Sequence, residues 1–208
     1  MTRTLVAAGL ALTLAPWTVH AQGLGLPLGE TAAPFETGQV RATGAITLGD
    51  DVDLYGARVA YATSPNLQIF GDAGIVDIDA FDSGLGLQGG LIYRIEMDAP
   101  IDLGLRGTGY TAFLDDLDHL FGFSAGVLVS VPVADAPLSL YGYVGLAHTR
   151  LKASFRHPVF GRVRFRDNNT EPAITLGALF AVNDQFSLFG EFSHVDDPFV
   201  SIGARFNF

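Results

Sequence analysis

Ser193, His194 and Asp196 stand within four residues of one another, and His119 follows Asp115, Asp116 and Asp118. Serine, histidine and an acid are the parts of an activated nucleophile, its base and the group that orients the base. No such trio can be assembled here at a workable spacing. Both histidines are read as surface residues at strand rims, and no catalytic residue is assigned. Acidic clusters recur at Asp50 and Asp51, at Asp77, Asp79 and Asp82, at Asp115 to Asp118, and at Asp196 and Asp197. Carboxylates suit hard cations, but none of these runs has the glycine and terminal glutamate of a dedicated calcium loop. They are read as solvated turns. The chain has no cysteine, which removes thiolate metal sites and disulfide frameworks. No metal and no cofactor are expected.

Two sets of charges remain. Arg41, Arg58, Arg94, Arg106 and Arg205 alternate with apolar residues, as do Asp72, Glu96, Asp102 and Glu191. A second set is concentrated in RLKASFRHPVFGRVRFRDNNT, where Arg150, Lys152, Arg156, Arg162, Arg164 and Arg166 make up half of the chain's lysine and arginine. The net charge of -10 argues against nucleic acid as a partner, because binding it needs a basic footprint.

What positions these charges is a period-two alternation that begins at Gln39 and runs to the end of the chain. It divides into segments 39–48, 52–62, 67–78, 84–96, 101–112, 119–133, 138–149, 171–182, 186–195 and 199–208, separated by breaks rich in Asp, Asn, Gly and Pro. One parity is apolar throughout: Val40, Ala42, Ile46 and Leu48 flank Arg41; Leu85, Leu87, Leu91 and Tyr93 precede Arg94; Val200, Ile202, Phe206 and Phe208 flank Arg205. Every charge inside the strand cores falls on the other parity. A soluble sandwich also has one apolar face. Three further features favour a membrane. The segments are long enough to cross a bilayer as tilted strands, which needs about 9–11 residues. Their number is even, and only a helix or a closed barrel satisfies its backbone in lipid. The chain also opens on MTRTLVAAGLALTLAPWTVHA, an apolar run ending in a small-x-small site, read as a cleaved signal peptide over residues 1–21. Residues 22–38 lack periodicity and are read as a loose periplasmic leader segment.

The ending Ser201-x-Gly203-x-x-Phe206-x-Phe208 resembles the C-terminal assembly signal of bacterial outer-membrane β-barrels. Residues 39–208 are similar to the small barrels of the OmpA, OmpX, OmpW and opacity-protein type. The expected fold is therefore all-β, a transmembrane antiparallel up-and-down barrel. Ten strands are read here; eight, the number in those relatives, is the alternative. The resemblance implies a bacterial outer-membrane location, passage through the barrel-assembly machinery, a monomeric architecture without helices of note, and a C-terminus facing the periplasm. The loops after strands one, three, five, seven and nine then face outward. Outer-membrane lipid A deacylases use a His-x-Ser pair, and the order here, Ser193-His194-Val195-Asp196, lacks the serine two residues on.

On this reading the alternating charges line a lumen barely wider than its side chains, where opposite charges cross-pair and fill the space. The six basic residues at 150–166 would lie just above the apolar band, facing lipopolysaccharide phosphates. The expected role is non-enzymatic, at the cell surface, with a narrow solute channel as the alternative and a lipid A-modifying enzyme a distant third.

Overall fold

The computed structural model describes residues 25–50, 52–78, 81–114, 117–157 and 161–208, and the side chains among them other than those of 81–82, 117–119, 153–157 and 161–167. The signal peptide lies outside the described residues, as do Asp51, Asp79, Asp115 and Asp116; so does the side chain of His119. Ten antiparallel strands close into one barrel: β1 (Val40–Gly49), β2 (Val52–Ser64), β3 (Leu67–Ile78), β4 (Phe81–Ile95), β5 (Asp102–Phe113), β6 (Leu117–Pro132), β7 (Leu138–His157), β8 (Gly161–Ala181), β9 (Phe186–Val195) and β10 (Asp197–Asn207). Each strand pairs with its sequence neighbours, and β1 pairs with β10, with Arg41 opposite Asn207 and Ile46 opposite Ile202. Closure leaves no free edge around the barrel wall, so the backbone there is satisfied within the sheet, and only the outer end of β7 and β8 runs on beyond its flanking partners.

The alternation decides which face is which. Val59, Ile75, Leu91, Leu105, Phe123, Val144, Leu176, Leu188 and Ile202 are all exposed on the outer wall. In water such a continuous apolar surface would be strongly unfavourable; in a bilayer it is solvated by lipid chains. Aromatic residues mark both borders of this band, with Tyr61, Tyr93 and Phe208 exposed at the rim that carries the C-terminus and Tyr55, Phe121 and Phe192 toward the opposite rim. No helix among the described residues is long and apolar enough to cross a membrane.

Eight of the ten strands match their sequence segments to within about three residues at either end, as alternation and turn chemistry require. β7 and β8 differ. Both run on past their segments, as a turn at HPVFG allows, to His157 and from Gly161, forming a long hairpin with unbroken register from Leu138↔Phe180 to His157↔Gly161. Pro172, opposite Leu146, does not shift it.

Inside, the wall residues are layered by height. At the rim opposite the C-terminus the inward positions are apolar: Val52, Val76, Ile78, Leu114, Leu120, Leu151, Val195 and Phe199 are buried and belong to one cluster. Hydroxyl pairs come next, each joining residues directly opposite in the ladder: Thr47 with Ser201 at 2.8 Å, Thr108 with Ser124 at 2.7 Å, Thr175 with Ser193 at 2.8 Å. The charged residues lie at and below this level.

Candidate functional site

The lumen is filled by the protein's own N-terminal segment. Residues 25–35, expected as a loose leader, are instead drawn up inside the barrel, with Leu26, Glu30, Thr31, Ala32 and Phe35 buried. The chain leaves this plug at the C-terminal rim, where Phe35 N donates to Pro65 O at 3.4 Å and Gly38 N donates to Ala62 O at 2.8 Å. It then turns into β1. Gly38 (φ 88°) takes a left-handed conformation that costs glycine little.

The physical reason for the plug is a surplus of inward cations. Arg58 stands opposite Asp72 across β2 and β3, and its guanidinium grips that carboxylate with two hydrogen bonds, Nε to Oδ1 at 2.7 Å and Nη2 to Oδ2 at 2.5 Å. Its remaining donors go to the plug, to Pro27 O and Leu26 O, and its Nη1 lies 2.9 Å from Glu30. Arg106 depends on the plug altogether: Nε donates to Glu30 Oε2 at 2.8 Å, Nη1 to Gly25 O at 2.7 Å and Nη2 to Leu26 O at 2.8 Å. Both arginines are almost fully buried. A buried charge without a partner is strongly unfavourable, and here the plug supplies the missing anion and carbonyls. Phe70 lies 4.3 Å from the Arg58 guanidinium carbon, and Arg106 is 5.6 Å from the ring of Tyr143, so aromatic faces complete the cage.

The opposite side of the plug is held by an acid. Glu191 on β9 accepts Leu28 N at 3.1 Å on one oxygen and Gly29 N at 3.0 Å on the other, and Tyr141 donates to it at 2.8 Å. Leu28 (φ 53°) and Gly29 (φ 74°) are both left-handed, which turns two successive amides toward one carboxylate. Leucine rarely adopts this conformation, so the contact holds a backbone that is costly on its own. Further contacts come from Arg205, donating to Gly29 O at 3.2 Å, and from Ser130, accepting Ala32 N at 3.1 Å. Arg41 covers the Phe35 ring at 5.0 Å.

The expected luminal network is therefore redistributed. Arg41, Arg58, Arg106, Glu191 and Arg205 lie inward as expected, but the plug, not cross-pairing alone, satisfies most of them. Arg94 and Asp102 form a separate pair at 3.3 Å near the C-terminal rim. Glu96 is a correction: it follows the last residue of β4, is exposed, and accepts Asn66 Nδ2 at 2.8 Å at the rim instead of lining the lumen. Glu30 was not assigned from sequence. The signal that pointed to it was the arginine excess on the inward parity, which called for an acid from outside the barrel.

Ser193 and His194 face opposite sides of β9. Ser193 is inward, buried and bonded to Thr175, whereas His194 is exposed outside. They do not meet, and no nucleophile–base pair forms there. Of the C-terminal motif, Ser201 is inward and fully buried, Phe206 and Phe208 are outward, and Gly203 has a packing task. A Cβ there would lie 2.5 Å from the Phe189 ring, and one at Gly29 of the plug would lie 2.7 Å from the same ring. Phe189 is wedged between wall and plug, and only glycine leaves it room.

Closed by hydrogen bonding, apolar outside and filled within, the molecule is a transmembrane β-barrel with an occluded lumen. The chain belongs to the outer membrane protein beta-barrel domain family, whose model matches residues 5–199. Its location is the bacterial outer membrane. Solved structures similar to it include the N-terminal β-barrel domain of Pseudomonas aeruginosa OprF (16% identity, 83% of this chain and 98% of that one, TM-score 0.44) and the Escherichia coli outer membrane protease OmpT (9%, 82% and 94%, TM-score 0.46). A third is Ail, the attachment invasion locus protein of Yersinia pestis (16%, 83% and 100%, TM-score 0.35). No curated protein matches the sequence.

Proposed function

We propose that the protein is a closed, non-enzymatic surface barrel that acts as a monomer and contacts lipopolysaccharide through the β7–β8 hairpin. The observation that carries this reading is the double occlusion of the lumen. The plug fills its middle, and the apolar cluster around Leu120, Leu151 and Phe199 closes the far end. Work is then left to the outside.

The hairpin is the part that extends furthest. β6 first pairs with β7 at Leu117↔Ala153, and β9 last pairs with β8 at His194↔Ile174, yet the two strands continue together to His157↔Gly161. Its basic positions sit on the parity of the exposed Val144, Leu146, Ile174 and Leu176. The register sets Lys152 opposite Arg166 and Arg156 opposite Arg162. Like charges directly opposite on a two-stranded ribbon are destabilising. An array of phosphates turns that repulsion into attraction, because arginine pairs with phosphate in bidentate fashion. Position supports the same partner, since the ribbon rises from the apolar band at the rim opposite the C-terminus, where outer-leaflet headgroups would lie. The test is to replace Arg150, Lys152, Arg156, Arg162, Arg164 and Arg166 with glutamine and measure lipopolysaccharide binding at two salt concentrations. At least a tenfold loss and a weaker salt dependence are expected; unchanged binding would dispose of the lipid contact.

A further inference from the structure

The lower lumen holds a second feature, independent of the hairpin and its partner. Beside the plug, at the C-terminal rim, a cavity of about 480 Å³ runs between β6–β7, β8–β9 and β10, lined by Ser139, Leu179, Ser187, Arg205 and Asn207. That volume lies within the range of small-molecule sites, which run from about 300 to 1,000 Å³.

Its inner end is cationic and underused. Arg205 is 9% exposed, and its only hydrogen bond among the described residues goes to the carbonyl of Gly29. Its Nε is buried with no partner. Arg41, whose backbone pairs with Asn207 on the cavity wall, also has a buried Nε without a partner. Among inward charges of the wall at mid-height, Arg41, Arg58, Arg106 and Arg205 stand against Asp72 and Glu191, four against two. The plug's Glu30 shares its Oε2 between Arg58 and Arg106, and among the described residues no carboxylate lies within ion-pair distance of Arg41 or Arg205. The one lining carboxylate, Asp184, is exposed in the rim turn, away from the buried end.

We infer that this cavity is a binding site for a small polyanion, carrying carboxylate or phosphate groups, which enters at the C-terminal rim and is held by Arg205. A guanidinium has five donors in a fixed fork, and an anion would engage those that Gly29 O leaves idle. Serine and asparagine side chains around the cavity can complete the hydrogen bonding. Because the C-terminal rim is the one expected to face the periplasm, the ligand would come from that compartment.

The chain's lack of cysteine gives a direct test. In the mature chain refolded in detergent micelles, Ser139→Cys places a single thiol on the cavity wall. Its rate of reaction with a small neutral maleimide is measured with and without millimolar inorganic pyrophosphate or citrate, against sodium chloride at matched ionic strength. Either anion is expected to slow labelling at least fivefold, Arg205→Gln to abolish the protection, and Arg205→Lys to retain part of it. Protection by pyrophosphate alone identifies a phosphate ligand, by citrate alone a carboxylate ligand, and by both a general polyanion site. No protection by either anion in the barrel with Arg205 intact overturns the inference, as does equal protection in Arg205→Gln.

Discussion

Glu30→Ala should free the plug while leaving the barrel standing. Glu30 bridges Arg58 at 2.9 Å and Arg106 at 2.8 Å, and all three side chains are buried. Removing one member of a buried charge cluster costs about 3–5 kcal/mol, because it strands the opposite charge. The lower figure applies here: Arg58 keeps Asp72, and Arg106 keeps the carbonyls of Gly25 and Leu26. A loss of about 3 kcal/mol in docking is roughly a hundredfold rise in the undocked population, at 1.4 kcal/mol per tenfold. Ala32 reports on that population. It is wholly buried, and it faces Gly104, where an added Cβ would sit 3.4 Å from its own. An Ala32→Cys thiol reacts with a solution maleimide only when the plug swings out. If redocking is faster than labelling, the rate tracks the undocking equilibrium, so Glu30→Ala should accelerate it about a hundredfold. The urea midpoint should move far less, since the strand ladders do not include Glu30. An acceleration below threefold would refute the assignment of this network as the plug's anchor. Equal acceleration of an engineered thiol on the barrel wall would show general loosening instead.

Two further results are expected. In planar bilayers the plug and the apolar cluster act in series, because a hydrophobic constriction stays dry even when the path below it is open. Deleting residues 25–34 alone, or substituting Leu120→Ser with Leu151→Ser alone, should leave conductance below a tenth of that of the combined variant, and equal conductance in the deletion alone would remove the apolar cluster as a barrier. Gly203→Val should lower stability by about 1–3 kcal/mol, the usual range for overpacking, through collision with the Gly44 carbonyl and the Phe189 ring. Urea unfolding of the purified barrel measures it, and Phe189→Leu should recover part of the loss; no recovery would place the defect elsewhere than in the ring contact.

The barrel was legible because lipid imposes a strict rule on every strand. A charge on the outer face at mid-membrane costs about 2–4 kcal/mol, so Arg41, Arg58, Arg94, Arg106 and Arg205 all mark the inward parity, and the turns between segments are written in Asp, Asn, Gly and Pro. The β7–β8 extension was legible from the turn residues HPVFG and not from apolar alternation. Above the membrane no lipid enforces alternation, and RLKASFRHPVFGRVRFRDNNT carries charge where the apolar signal would be. The plug left only an indirect trace, the excess of arginine on the inward parity. Residues 25–35 have no period because they form no ladder; their hydrogen bonds and ion pairs reach partners 28 to 176 residues away, from Arg58 on β2 to Arg205 on β10. Local propensity holds no record of such contacts.

The plug also explains a feature that would otherwise count against stability. A narrow barrel can fill itself with side chains, yet this one keeps several inward glycines, among them Gly90, Gly104, Gly126 and Gly203, where larger residues would pack. Some make room for the inward rings, as Gly203 does for Phe189. Gly104 makes room for the plug, with its absent Cβ 3.4 Å from that of Ala32. A wall designed only to fill itself would have no use for that space, nor for Arg106, whose three hydrogen bonds all leave the wall. Filling it from within by mutation, for instance with Gly104→Leu, would displace the segment that satisfies Arg106. The cavity at Gly104 and the charge at Arg106 thus make sense together, as the shape and the electrostatics of one docking site for the N-terminal segment.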